Sequence, residues 1–337
     1  MKHPKSKRKL QLIVLFAILA FSALVVGCGS SSDSGGDKVQ IVAYSTPETA
    51  YEEGIEPGFT GTTEGDGVTF SNSFGASGDQ SRAVEAGQPA NYVHFSLETD
   101  VTRLVDAGKV AKTWQDNKYK GIITNSVAVI VTRPGNPLGI KSFQDLVDKD
   151  VKVVTPNPFT SGSARWNIMA IYGAAINSGE SETQALDDVK TVLSKTEVQP
   201  GSGRDALQAF VGGAGDVLIS YENEALAAQA AGEDVDYVIP DSTILIENPA
   251  AVTVDAPKSA QDFLNYQWTD PAQKIWASYG YRPVNPALVD EKKFPTPADE
   301  FTIADLGGWD KVATDFFDDK TGSVAKIEGE LGVSTEG

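Results

Sequence analysis

The chain has 337 residues, with 28 Lys plus Arg against 46 Asp plus Glu, two His and a single Cys, for a formal charge of −18. One thiol excludes a disulfide within the chain and a Cys-rich zinc site. An acidic surface repels nucleic acid, which needs a basic footprint. About 300 residues exceed the usual span of one hydrophobic core, so two lobes are expected.

Most of the positive charge sits at one end. Residues 1–10 read MKHPKSKRKL, residues 11–27 are almost wholly apolar, and the run closes on Val25-Val26-Gly27-Cys28. A basic head, a short apolar stretch and a small-residue cut site make residues 1–27 an export signal that is removed. Its loss takes Lys2, Lys5, Lys7, Arg8, Lys9 and His3 but no acid, which leaves a formal charge of −23 and one imidazole, His94. A multi-His metal centre is thereby excluded and no cofactor is expected. Any Ser-His-Asp triad has to use His94. The Val-Val-Gly-Cys pattern resembles a bacterial lipobox, which implies cleavage before Cys28 and a lipid on it. Residues 28–37, small and polar, read as a flexible tether holding a folded body near the outer face of the cytoplasmic membrane. No later apolar run approaches the roughly 20 residues of a spanning helix.

Beyond the tether, short apolar runs alternate with helical patterns. Strands are expected at 39–44, 68–72, 92–95, 127–132, 151–155, 216–220 and 235–239. Helices are expected at 47–53, 81–86, 101–107, 142–147, 164–176, 182–194, 205–211, 222–231 and 260–266. Such alternation indicates parallel sheets covered by helices, an α/β fold. The joints carry the chemistry. Tyr44-Ser45-Thr46-Pro47, Gly75-Ala76-Ser77-Gly78, Thr160-Ser161-Gly162-Ser163, Gly201-Ser202-Gly203-Arg204 and Ser220-Tyr221-Glu222 each place hydroxyls or glycines between an extended run and a helix. Ligands of open parallel sheets gather at that edge. A helix start leaves up to four N–H groups without intrahelical partners and carries about half a positive charge, so it binds an oxyanion without a cationic side chain. Any single joint is also an ordinary cap; their number makes the pattern.

At these residues the sequence resembles the periplasmic sulfate-binding proteins of ABC import systems. The similarity rests on VVTPNPFTSGSARWNIMAIYGAA (153–175), GDVLISYENEA (215–225) and GASGDQSRAV (75–84), with weaker matches at Tyr281-Arg282-Pro283, Phe301-Thr302-Ile303 and Gly307-Gly308-Trp309. The resemblance implies a two-lobed type II binding-protein fold that closes over a dehydrated anion. Lobe 1 would comprise residues 38–123 plus about 250–337, with the C-terminal part free to pack on both lobes, and lobe 2 residues 124–249. Crossings would lie near 124–129 and 245–254. It implies ligand contacts from Ser45, Thr46, Ser77, Gly78, Ser161, Gly162, Ser163, Gly203 and Tyr221, with Arg165 and Arg204 bracing the loops from behind. It also implies a permease as partner and no catalysis.

Three positions depart from the family pattern. Ser163 stands for a Gly, Ser45-Thr46 for an Asp, and Tyr221 for a Trp whose indole donates to the ligand. A phenol both donates and accepts, so thiosulfate, molybdate or tungstate, and phosphate remain alternatives to sulfate. A surface hydrolase built from Ser77 or Ser161 with His94 is the reading from another class, although the chain has no Gly-x-Ser-x-Gly elbow. In a strand-like Tyr92-Val93-His94-Phe95, His94 reads as a packing residue, and the five Trp as packing anchors. Asp79, Asp205 and Glu222 read as first-turn acids that complement helix dipoles.

Overall fold

A computed structural model describes residues 37–335; the export signal, Cys28 and nearly all of the tether lie outside them. Ten strands form β1 (Lys38–Tyr44), β2 (Thr69–Gly75), β3 (Tyr92–His94), β4 (Ile122–Thr132), β5 (Val153–Val154), β6 (Thr196–Val198), β7 (Val217–Tyr221), β8 (Asp236–Val238), β9 (Ser242–Val252) and β10 (Asp299–Phe301). Their order is β2-β1-β3-β9-β4-β7-β5-β6, with β10 on β9 and β8 on β4. Two parallel groups, β2-β1-β3 and β7-β5-β6, lie at opposite ends of this order.

The two 11-residue strands join the groups. β9 pairs with β3 through Ala250–Val252 and with β4 through residues 245–249, while β4 turns its other end, 128–132, to β7. Each long strand therefore takes part in the link between the two groups. The sequence shows β9 only as a crossing, because Glu247, Asn248 and Pro249 interrupt its apolar run. Pro249 sits where the strand changes partner, a position that a residue without an N–H tolerates. Short, partly exposed β6 and β10 carry too little apolar pattern to be read from sequence.

Alternation along a strand sends successive side chains to opposite faces. In β1, Ile41 and Ala43 join a core with Tyr51, Phe59, Phe263 and Trp276, while Val42 faces Val84, Phe95 and Leu104. In β4, Ala128 and Ile130 join Trp166, Met169 and Val189, while Val129 and Val131 meet Phe210 and Leu218. Both faces of both sheet halves are covered, as parallel sheets require. Two C-terminal helices that the sequence left unread, Trp309–Phe317 and Ser323–Glu330, place Trp309, Phe316 and Ile327 in the Trp166 core. The helix Asp270–Ser278, capped by Thr269 with Pro271 in its first turn, instead sends Trp276 into the Tyr51 core.

Helix starts differ from expectation in a way that matters for the site. The third helix runs Ser77–Glu85, not from residue 81, and the helices Gly162–Asn177 and Gly203–Val211 each begin two residues earlier than their apolar pattern. Ser77, Gly162 and Gly203 are thus the first helical residues themselves, and their N–H groups are among those a helix cannot satisfy. Ala76, Ser161 and Ser202 hold extended backbone ahead of them.

Candidate functional site

A cavity of about 10 Å³ lies where the two parallel groups face each other. One wall comes from the ends of β1, β2 and β3: Tyr44, Ser45 and Thr46; Gly75, Ala76 and Ser77; and Ser96. The other comes from the loops after β5 and β6: Ser161, Gly162 and Ser163, with Ser202 and Gly203. No lining residue carries a charge. The N-termini of three helices of 9, 16 and 9 residues converge on it. Their summed dipoles and unpaired N–H groups make a neutral but electropositive pocket.

The site residues expected from sequence divide into those that line this cavity and those that support it. Ser45, Thr46, Ser77, Ser161, Gly162, Ser163 and Gly203 line it. Gly78 does not: it spends its N–H on the Thr160 carbonyl at 3.0 Å, a bond that ties the first lobe to the second. Ser77 lines the cavity with its hydroxyl committed, since its Oγ donates to Asp100 at 2.7 Å and accepts the Ser96 N–H at 2.9 Å. Its remaining donor is the backbone N–H. Ser161 and Ser163 share one hydroxyl hydrogen bond of 2.8 Å, which leaves one of their two protons for a ligand.

Tyr221 is fully buried and is absent from the lining; its hydroxyl meets Ser96 Oγ at 2.6 Å. Ser96 is the lining residue that the joints missed. The helix after it starts at Glu98, and the acidic first turn Glu98-Thr99-Asp100 hid that start from an apolar pattern beginning at Val101. A hydroxyl directly after a strand and before first-turn acids is the signal that would have found it.

Both arginines brace loops. Arg165 Nε donates to the Pro158 carbonyl at 2.8 Å and its guanidinium lies 4.9 Å from the Phe317 ring centre, where burial pushes its pKa down to about 10. Arg204 Nη2 donates to the Thr46 carbonyl at 2.7 Å, across the cleft, and to Glu224 Oε1 at 3.3 Å. The three acids that sequence places near the pocket are all engaged elsewhere. Asp79 pairs with Arg82, Asp205 accepts the Ser202 hydroxyl, and Glu222 is buried against Arg282.

His94 lies at the floor of an aromatic cage. Its Nδ1 meets the Tyr51 hydroxyl at 2.9 Å, and Tyr44, Tyr51 and Trp276 stand edge-on around the ring. With Ser77 bonded to Asp100 and Ser161 to Ser163, neither serine uses His94 as a base. Burial pushes the His94 pKa down to about 3. The folded protein therefore binds fewer protons than the unfolded chain between pH 3 and about 6.5, so this stability is fully present above pH 6.5 and falls as pH drops toward 3. The difference between 6.5 and about 3 corresponds to about 5 kcal/mol. Urea unfolding at pH 7 and pH 4.5 is expected to lose less stability in His94→Gln than in the wild type; equal losses would contradict the buried neutral imidazole.

Residues 39–282 match the family described as bacterial extracellular solute-binding protein. The chain belongs to that family. As a member it is the exported, solute-binding component of an ABC import system. A sulfate-binding protein of Synechococcus elongatus is 38% identical over 328 residues, covering 92% of this chain and 93% of that protein. A thiosulfate-binding protein of Pseudomonas aeruginosa is 30% identical, covering 89% and 96%. The sulfate-binding protein SubI from Mycobacterium tuberculosis H37Rv superposes with a TM-score of 0.81 at 45% identity, covering 84% of this chain and all of that one. These relatives are named for what they bind rather than for a reaction. A periplasmic thiamin binding protein, 17% identical with a TM-score of 0.61 over 80% of this chain and 92% of that one, shares the two-lobed fold alone. Among the described residues no helix is long and apolar enough to cross a membrane.

Proposed function

We propose that this solute-binding protein captures sulfate between its lobes and hands it to a membrane permease, held at the membrane by a lipid on Cys28. In this reading lobe 1 is residues 38–123 and about 250–337, lobe 2 is residues 124–249, and β4 and β9 form the hinge. The observation that carries the proposal is the uncharged cavity at three helix N-termini. A dianion without a proton suits a lining of donors. A hydrogen phosphate would bring a proton that needs an acceptor, and leaving such a buried group unpaired costs about 1–3 kcal/mol. Asp79, Asp205 and Glu222 are each held by other partners and none lines the cavity. The small cavity favours a compact ion over an organic solute, and the names of the relatives point the same way.

The chain's acidity does not oppose this. Its negative charge is spread over a solvated surface and screened beyond about 10 Å, whereas the donors act at contact distance. About seven charge-assisted hydrogen bonds of roughly 1.5–3 kcal/mol each, less the desolvation of the ion and the ordering of the lobes, leave an affinity near micromolar, about −8 kcal/mol. Titration calorimetry on the full-length protein is expected to show saturable sulfate binding whose affinity is flat from pH 5 to 8, because the sole ionisable lining side chain is the Tyr44 phenol, which burial pushes far above that range. No sulfate signal, with a clear one for molybdate or phosphate, would overturn sulfate while leaving solute binding intact.

A further inference from the structure

The corner of the cavity beside Ser96 brings together side chains from distant parts of the sequence, Asn248 and Tyr221. Asn248 donates one Nδ2 proton to the Ser96 carbonyl at 3.2 Å. Its Oδ1 is occupied by the Tyr44 hydroxyl at 3.1 Å and the Thr124 hydroxyl at 3.4 Å. The Tyr221 hydroxyl is fully buried, and its hydrogen-bond partner is Ser96 Oγ at 2.6 Å. A buried phenol needs an acceptor for its proton, and Ser96 Oγ is the one within reach. Ser96 then accepts from Tyr221, and its own hydroxyl proton is left for the cavity that it lines. The position is right for this: a Cβ built on Gly162 would stand 2.7 Å from Ser96 Oγ, so the hydroxyl lies directly against the first residue of the helix Gly162–Asn177.

We propose that Ser96 is a ligand-binding residue and that Tyr221 is its positioning residue, with protons ordered Tyr221 to Ser96 and Ser96 to an oxygen of the bound anion. This rests on the reading of the cavity as the sulfate site and deepens it. A tyrosine at the end of β7 supplies a donor to the ligand at second hand, through a serine 125 positions earlier in the chain. The order also sets specificity. With the Tyr221 proton on its oxygen, Ser96 turns its own proton to the cavity, and an anion that carries a proton on the oxygen facing Ser96 meets a donor there. The local cost falls on protonated oxyanions and not on sulfate.

A double-mutant cycle on the full-length protein tests the assignment, with sulfate affinity read by calorimetry and folding read by thermal melting without ligand. Ser96→Ala is expected to weaken sulfate binding on the order of 10- to 100-fold, the loss of one hydrogen bond to a charged ligand. Tyr221→Phe frees the serine rotor but keeps its proton, so a smaller loss of several-fold is expected. In the Ser96→Ala background, Tyr221→Phe is expected to change affinity less than twofold, since there is no longer a serine to orient. A purely structural effect of Tyr221 would persist in both backgrounds. An equal loss from Tyr221→Phe with and without Ser96 would overturn the relay in favour of direct contact by the phenol. Wild-type binding that Ser96→Ala leaves intact would overturn the role of Ser96 alone, whereas a wild-type chain that does not bind sulfate would remove the reading of the cavity on which both depend.

Discussion

Gly162→Ala should weaken sulfate binding on the order of 10- to 100-fold while leaving the ligand-free protein as stable as the wild type or more so. The added Cβ would stand 2.7 Å from both Cβ and Oγ of Ser96 and 2.8 Å from Leu97 Cγ. All three atoms belong to the loop after β3, on the opposite side of the cleft from the helix Gly162–Asn177. In the proposed hinge reading the overlap belongs to the closed cleft and is relieved when the lobes part. Overpacking of this kind costs about 1–3 kcal/mol, and here the cost falls on the closed state, hence on affinity. The substitution keeps the backbone N–H that faces the ligand. Within a helix Ala is favoured over Gly by up to about 1 kcal/mol, so the free protein gains or holds stability. Closure also seats Leu97 and Tyr44 in the Trp166 core and lets Trp166 Nε1 donate to the Ser96 carbonyl at 2.8 Å, contacts that a cleft held ajar would forfeit. Calorimetry paired with melting curves separates the two effects; a parallel fall in melting temperature and affinity would mean that the residue acts on folding rather than closure.

Arg282→Met should destabilise the protein by about 3–5 kcal/mol at pH 7.5, a drop in melting temperature on the order of 10 °C. Arg282 Nε and Nη2 meet Glu222 at 2.7 and 3.1 Å, and both side chains are buried, with 7% and 0% of their surfaces exposed. The backbone of Arg282 also exchanges two hydrogen bonds with Asn125 of β4, at 2.8 and 3.0 Å. The pair therefore clamps the first residues of the helix Glu222–Ala230 to the crossing strand. Without the guanidinium a buried carboxylate has no counter-charge. Burial already raises the Glu222 pKa above the usual carboxylate range, against the opposing pull of Arg282, and losing that pull raises it further. A folded value above the unfolded one means that the folded protein holds the extra proton, so the deficit should be largest at pH 7.5 and shrink as pH falls toward 4.5. Arg282→Met with Glu222→Leu should recover most of the loss, because replacing both partners by apolar groups removes the unpaired charge. Urea unfolding at pH 7.5 and 5 checks both points; a deficit independent of pH would assign the effect to lost packing around Phe294 instead.

Much of the site was legible because its chemistry is local. Ser161-Gly162-Ser163 and Ser202-Gly203 announce themselves as helix starts within a few residues, and Ser45, Thr46 and Ser77 do so at the ends of strands. Their exposed N–H groups follow from helix geometry wherever the helices lie. Ser96 escaped because its helix opens on Glu98-Thr99-Asp100 rather than on an apolar repeat. Gly78 was placed with the ligand because composition cannot tell an N–H aimed at an anion from one aimed at Thr160. Ser77 shows the same limit at the level of a proton: its hydroxyl is spent on Asp100, which nothing near Ser77 in the chain reveals.

By itself the sequence determined the α/β alternation. It also placed hydroxyls and glycines at the helix starts of an acidic chain of formal charge −18, so that neutral donors there suit an anion. These are properties of contiguous residues, set by side-chain period, capping and charge. The tertiary structure alone decided that β4 and β9 link the two parallel strand groups, that the last helices cover the Trp166 core, and that Tyr221 stands one hydrogen bond behind Ser96. Strand pairing, core membership and the direction of a buried proton depend on groups 100 or more residues apart, such as Ser96 with Tyr221 and Asn248. No local pattern encodes which distant partner closes each of those contacts.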